Sequence, residues 1–157
     1  MTRFTISILI NKPTEFVTEA LNNPDNHTHW TKDLVKFEVI KGKANKVGAV
    51  ARLHYVQKGR EYIMEDELIY CEPGKRYISS VSGDAINATV ETTLKPLENK
   101  TEMTINWSGK GRIFILKLLL PILRKKIEKQ GQKELETFKN LVETRGSNFN
   151  DLPDNNH

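Results

Sequence analysis

The sequence predicts an α+β fold in which a curved, seven-stranded antiparallel sheet wraps around one long C-terminal helix. Residues 34–109 contain six runs of alternating apolar and polar residues separated by short turns, and short turns require neighbouring strands to pair antiparallel. Residues 113–142 contain the longest helical pattern of the chain. Because a sheet with one apolar face must bury that face, this helix is its expected cover.

One strand and two short helices are expected before these six strands. Residues 4–10 alternate apolar with mostly polar side chains, as a half-buried strand does. Pro13 suits the first turn of a short helix that contains Phe16, Val17 and Leu21. Residues 22–30 are rich in turn-forming residues around a second helical turn. Trp30, at its end, is interpreted as a structural plug under the two helices.

The six later strands are expected to form a meander. The first begins at Leu34, and the others lie at about 47–57, 61–71, 76–82, 87–95 and 101–109. The segments between them are too short for a crossover, so each strand pairs with the next. The segment Gly109-Lys110-Gly111 is interpreted as a flexible joint into the last helix.

The last helix predicts a cavity. From Ile127 onward its apolar and small residues fall on one arc. Phe114, Leu118 and Ile122 point away from that arc, so the segment 113–123 must be covered on two sides. A helix of ~30 residues is ~45 Å long, longer than a small core is wide, and a sheet wrapped around it leaves space for a hydrophobic ligand. Pro121 predicts a kink in this helix, or a split into two.

The composition limits the class of protein. A chain of 157 residues suits one domain, predicted to span 1–144 and to be followed by a polar, flexible tail at 145–157. The net charge of +4 comes from 24 basic and 20 acidic residues, a mixed surface that identifies no charged partner. The lone Cys71 and the lack of an apolar run long enough to span a membrane predict a cytoplasmic protein.

Four local patterns resemble a known superfamily. They are ISILINKPTEFVTEALNNPDNHTHW (6–30), Gly48 near the start of the third strand, EDELIYCEPGKRY (65–77) and FKNLVE (138–143). With the order of elements, they resemble the START-like (SRPBCC) helix-grip superfamily, especially its polyketide cyclase/dehydrase and lipid transport branch, over residues 3–143. The resemblance implies the helix-grip fold. It implies no single function, because this fold is found in lipid carriers, ligand sensors and cyclases alike.

The predicted ligand-binding site lies between the inner face of the sheet and the apolar arc of the helix. Its strand residues follow a period of two, with the more apolar face turned inward. The predicted lining residues are Phe37, Leu53, Tyr55, Tyr62, Met64, Val90, Thr92, Met103, Ile105, Trp107, Ile127, Gly131, Leu135 and Phe138. No cofactor and no metal site is predicted, since His27, His29 and His54 complete no known ligand spacing.

Two orientations are open for Asp66. It shares a strand face with Tyr62 and Met64, and inside a cavity its pKa would be raised so that it could act as an acid or base. If Ile63 and Cys71 instead mark the inner face, Asp66 is solvated. We favour this second orientation.

Gly131 is unusual in mid-helix, where glycine costs roughly 1 kcal/mol relative to alanine. Its missing side chain either leaves room for a ligand or lets a strand approach the helix closely. We favour the first explanation, because Ile127, Leu135 and Phe138 are bulky enough to hold the sheet away. Gly131→Leu should then fill the cavity without lowering the melting temperature.

The sequence favours a non-enzymatic protein that binds a hydrophobic small molecule or lipid, as a carrier or sensor. The alternative is an enzyme of the polyketide cyclase/dehydratase kind that uses Asp66 or a cavity tyrosine as acid or base. A third class is an interaction module in which 113–123 makes a weak contact with a membrane surface or a second copy of the chain. Nucleic acid is not an expected partner, because the basic cluster at 124–133 has no interleaved aromatic residues and is interpreted as a solvated helix face.

Overall fold

A computed structural model describes residues 1–150 of the chain. The elements are β1 (Thr2–Ile10), α1 (Thr14–Asn22), a 3-10 turn (Pro24–Asn26), α2 (His27–Trp30), β2 (Leu34–Lys41), β3 (Val50–Gln57), β4 (Arg60–Glu72), β5 (Arg76–Ser82), β6 (Ile86–Leu97), β7 (Lys100–Gly111) and α3 (Phe114–Arg145). The predicted fold class is confirmed, with two short helices between the first two strands and one long helix at the end.

The strands form one antiparallel sheet in the order β1-β7-β6-β5-β4-β3-β2. β2 to β7 are therefore the predicted meander, and β1 closes the other edge by pairing with β7 from Thr2 opposite Gly109 to Ile10 opposite Thr101. Alternate residues of β1 are buried, as the pleat of a half-buried strand requires.

β4 changes face at one point along its length. Its register with β5 shifts between Leu68 and Tyr70, which is the signature of a bulge with one extra residue. Leu68 and Cys71 consequently both pack against the core, whereas Ile69 and Tyr70 between them are exposed. A strict period of two therefore assigns the wrong face to one end of this strand.

α3 is a single helix of 32 residues that includes Pro121, so of the two outcomes predicted at this proline, a kink or a split into two helices, the split is wrong. Proline removes one hydrogen bond of the helix ladder, but burial of Leu120 on one side of it and of Leu135 and Phe138 further along holds the helix in place. Within residues 1–150, no helix combines the length and the apolar character that crossing a membrane requires.

The glycines at the end of β7 are required by close contacts. A Cβ on Gly109 would overlap the indole of Trp107, and a Cβ on Gly111 would lie 2.6 Å from the backbone of Leu116 in α3. The prediction of a flexible joint at 109–111 is therefore wrong, because these residues belong to the strand and pass directly against the start of the helix.

The hydrophobic core is divided into two clusters. The larger cluster lies where α1 and α3 pack on the sheet, and Ile10, Val17 and Met103 are among its fully buried residues. The smaller cluster consists of Leu34, Ala51 and Leu53 on β2 and β3. Since α3 packs mainly on β1 and β7 and the short α2 packs on β2, β3 and β4 lie away from the long helix.

The residues after α3 turn back onto the domain. Gly146 has a φ of +87°, and the chain then places Phe149 in the larger core cluster with none of its surface exposed. The side chain of Asn26 donates to the carbonyl of Ser147 at 2.8 Å and accepts from the N–H of Phe149 at 2.9 Å. The prediction of a flexible tail is wrong for residues 145–150, and its remainder, 151–157, lies outside the described residues.

Candidate ligand-binding site

A cavity of about 970 Å³ lies between α3 and the sheet. It occupies the space between the two core clusters, with Ile127 and Gly131 of α3 on one side and Leu53 and Met64 of β3 and β4 on the other. Most of its lining side chains are apolar. Small-molecule sites typically have volumes of about 300–1,000 Å³, so this cavity is large enough for a sizeable ligand.

The structure brings most of the predicted lining residues together. Those that line the cavity are Phe37, Leu53, Tyr55, Tyr62, Met64, Val90, Thr92, Met103, Ile105, Trp107, Ile127 and Gly131. Leu135 and Phe138 do not, since both are fully buried in the larger core cluster. The C-terminal half of α3 packs tightly there, with the Phe138 ring 5.1 Å from the Trp30 ring, so only the middle of the helix faces the cavity.

Several lining residues were missed by the sequence analysis. Phe4 and Ile6 of β1 line the cavity, and the period of two already recognised in β1 could have identified them. Phe4 stacks on Trp107 with the ring centroids 5.1 Å apart, which fixes one wall. Trp30 is both a plug against Phe138 and a lining residue, a double role that no local pattern indicates.

Gly131 lies where α3 packs against β1. A Cβ at this position would lie 2.8 Å from Cδ1 of Ile6 and 3.8 Å from Cε2 of Phe4. A side chain here would meet the outer end of the Ile6 side chain, so the glycine lets the helix and the first strand approach each other closely. Because Gly131 also lines the cavity, the favoured explanation, that the missing side chain leaves room for a ligand, stays a prediction beside this one.

Asp66 lies in the cavity, so the solvated orientation that we favoured is wrong. Burial raises the pKa of its carboxyl, and a hydrogen bond with Ser79 opposes this rise. Ile63 and Ile69, which flank it on β4, are the exposed residues. The error came from the bulge after Leu68, because Cys71 beyond it faces inward and gives the opposite strand face an apolar appearance.

A second acid faces the same space from α3. Burial raises the pKa of Glu134 to about 7, although hydrogen bonds with Lys32 and Gln130 oppose the shift. Opposite it, Tyr55 and Tyr62 stack with their ring centroids 4.7 Å apart and nearly parallel. Burial raises the pKa of both tyrosines, and repulsion from Glu134 adds to the effect, so both hydroxyls remain protonated hydrogen-bond donors at neutral pH.

The three histidines considered as metal ligands, His27, His29 and His54, each contact different residues. His27 lines the cavity and stacks on Phe37 at 4.1 Å, and burial lowers its pKa to about 4, so its imidazole is neutral at pH 7. His29 hydrogen-bonds to Asn150 and His54 to Glu38. Across residues 1–150, no group of three His, Cys, Asp or Glu side chains is placed to hold a metal ion.

This arrangement is an apolar cavity between one sheet and one long helix, with a few polar groups on its wall. A scan against protein-family models and a search of curated proteins found no match to the sequence. Solved structures, in contrast, match the fold well.

Three of these structures illustrate the similarity. A protein from Chromobacterium violaceum has a TM-score of 0.73 at 19% identity, covering 90% of this chain and 97% of that chain. A START superfamily protein from Mycobacterium smegmatis has a TM-score of 0.71 at 12% identity, with coverages of 87% and 95%. The Zhui aromatase/cyclase from Streptomyces sp. R1128 has a TM-score of 0.72 at 13% identity, with coverages of 90% and 93%.

The chain therefore has the START-like helix-grip fold, as the sequence resemblance implied. At these identities the similarity establishes the fold alone. The function has to be inferred from the cavity, because one fold hosts many functions.

Proposed function

We propose that the protein binds a hydrophobic small molecule or lipid in its central cavity, as a carrier or sensor that does not alter the ligand. The observation that supports this most is the division of the core into two clusters with about 970 Å³ between them. Protein interiors are normally close-packed, and burial of apolar surface contributes roughly 25 cal/mol per Å². An apolar ligand would supply the contacts that the two clusters do not make with each other.

The polar groups of the cavity suit the recognition of one end of such a ligand. The hydroxyls of Tyr55 and Tyr62 are donors, and Asp66, beside Ser79, is an acceptor when ionised. A few polar groups within an apolar lining fix the orientation of a ligand without providing most of its affinity.

Native mass spectrometry of freshly purified protein tests this proposal. We expect a fraction of molecules to carry an additional mass of a few hundred daltons that is released by organic solvent and identified as a lipid or another apolar compound. Repeated failure to find a bound molecule, together with no binding when fatty acids or aromatic polyketides are added, would contradict it.

The second candidate is an enzyme of the polyketide cyclase/dehydratase kind, favoured by the position of Asp66 in the cavity and its raised pKa. A buried carboxyl with a raised pKa can serve as a general acid or base. Asp66→Asn discriminates between the two. A carrier should bind its ligand with little change, whereas an enzyme should lose turnover of a polyketide or ester substrate.

A further inference from the structure

An apolar surface lies at the N-terminal end of α3, outside the cavity. We call it the apolar tip. Its members are Phe114, Ile115, Leu118, Leu119 and Ile122, with exposed fractions of 75%, 62%, 60%, 41% and 74%. These residues are contiguous on one side of the helix, since positions three and four apart are neighbours. Soluble monomers rarely expose a continuous apolar patch of this kind unless it contacts a partner or a membrane.

The exposure of the apolar tip follows from how α3 is fixed. Leu120 is almost fully buried on the opposite side of the helix, and the backbone of Leu116 lies against Gly111 of β7. The backbone N–H of Arg112 donates to the carbonyl of Ala85 at 2.8 Å, just before the helix begins. Since the helix is held on that side, it cannot rotate to bury the apolar tip.

A row of lysines continues the apolar tip along the same arc of α3. At about 100° per residue, Lys125, Lys126, Lys129 and Lys133 fall on the arc that Phe114 and its neighbours occupy one to three turns earlier. We call these four residues the lysine row. Within residues 1–150, none of them forms an ion pair, whereas Arg124 beside them pairs with Glu128 at 3.7 Å.

We propose that the apolar tip and the lysine row dock the protein on a membrane surface that contains anionic lipid. The apolar side chains would enter the boundary between head groups and acyl chains, and the lysines would contact lipid phosphates. The positive charge of this surface favours an anionic membrane as its partner, because Glu128 is the single acidic residue between 114 and 133 and is already paired with Arg124.

A second copy of the chain fits this surface less well. A two-fold symmetric contact uses the same surface patch of both copies. Pairing the two apolar tips would bury apolar surface but would give the lysine rows no acidic partner, since Glu128 is already paired. An anionic lipid surface satisfies the apolar and the charged part of the face at once.

This docking goes beyond the proposed ligand binding and does not depend on it. It has one consequence for the cavity, because Lys126, Lys129 and Lys133 also line the cavity. Docking along the lysine row would bring that side of the cavity to the lipid interface.

Vesicle flotation tests the proposal with the full-length protein. Vesicles of phosphatidylcholine alone are compared with vesicles of phosphatidylcholine and phosphatidylglycerol at a 3:1 ratio. We expect wild-type protein to float with the anionic vesicles, to float several-fold less with the neutral ones, and to be released by high salt, which screens the lysines. Sedimentation velocity without vesicles should show a monomer.

Two double variants with matched controls separate the apolar from the charged contribution. Leu118→Glu/Ile122→Glu should weaken vesicle binding at least about ten-fold, and Lys125→Gln/Lys129→Gln should weaken it by about 25-fold, at about five-fold per lysine removed. The controls lie at the β6–β7 turn, at the other end of the sheet. Leu97→Glu and Lys95→Gln/Lys100→Gln change exposed residues of the same types there, and should float as wild type does.

Three results would overturn the proposal. Wild-type protein could fail to float with anionic vesicles, or float equally well with neutral ones. It could sediment as a dimer that Leu118→Glu/Ile122→Glu dissociates, which would make the face a contact between copies. Circular dichroism could show that this variant is unfolded while Lys125→Gln/Lys129→Gln floats normally, which would make the apolar tip part of the core.

Discussion

The carboxyl of Glu134 offers a quantitative test of how dry the cavity is. Its surroundings combine Lys32 and Gln130, which stabilise the ionised form, with Asp33 and burial, which oppose it. Burial dominates and raises the pKa from 4.5 to about 7. At pH 8 the folded protein therefore contains an ionised acid in an environment that disfavours its charge. The change that removes this charge with little change in shape is Glu134→Gln.

The size of the effect follows from linkage between protonation and folding. Between pH 4.5 and about 7 the folded state binds the proton more tightly than the unfolded chain does, so the free energy of unfolding falls as the pH rises. Each pH unit of pKa difference corresponds to about 1.4 kcal/mol, which gives about 3 kcal/mol as an upper bound. Water in the cavity reduces this, and we expect a gain of about 1–3 kcal/mol for Glu134→Gln at pH 8.

Urea unfolding followed by circular dichroism measures this difference. Wild-type protein and Glu134→Gln should have nearly equal stability near pH 4.5, where Glu134 is protonated in the fold, and should diverge as the pH rises to 8. The control is Glu136→Gln, an exposed position on the same helix, which should show no such divergence. A stability difference that is absent at pH 8, or equal at both pH values, would refute the assignment of Glu134 to a desolvated wall.

Three further predictions concern packing and acid stability. Gly131→Leu should lower the free energy of unfolding, measured in urea, by about 1–3 kcal/mol, because its added atoms overpack the contact with Ile6. Unchanged or greater stability would favour the explanation that the glycine leaves room for a ligand. Phe149→Ala should lower the free energy of unfolding by about 3 kcal/mol in the same assay, since a fully buried aromatic ring is removed. A loss under about 1 kcal/mol would mean that Phe149 does not pack against the core. Wild-type protein should lose up to about 3 kcal/mol of its free energy of unfolding as the pH falls from 6.5 to 4, because His27 binds a proton in the unfolded chain but stays neutral when buried. His27→Phe should abolish this loss. An equal loss of stability in both proteins would contradict the prediction.

The elements of the fold could be predicted because they follow from local patterns. Strand alternation and short turns determined the order of pairing, and the apolar arc from Ile127 identified the face of α3 toward the sheet. Most of the predicted lining residues do face the cavity, since the inward face of a strand is fixed once its register is known.

The errors arise where a non-local contact or an irregularity determines the structure. The bulge after Leu68 reversed the apparent face of β4, which hid the position of Asp66. Phe149 is one aromatic residue in a polar segment, and its burial depends on a hydrogen bond to Asn26, more than a hundred residues earlier in the sequence. The close approach of Gly131 to Ile6 likewise depends on how α3 lies across the sheet, which periodicity does not determine.

Titration with Nile red, an uncharged fluorescent probe of apolar sites, tests the central claim most directly. The comparison is between Val90→Trp, which places a large ring in the cavity, and Thr89→Trp, which places the same ring on the exposed face of the same strand. We predict saturable binding by wild-type protein and by Thr89→Trp. Val90→Trp should bind the probe at least about ten-fold more weakly, a difference of about 1.4 kcal/mol, and its melting temperature should be unchanged or higher. Equal binding by all three proteins, or no saturable binding by any, would contradict the claim that the cavity is a ligand site.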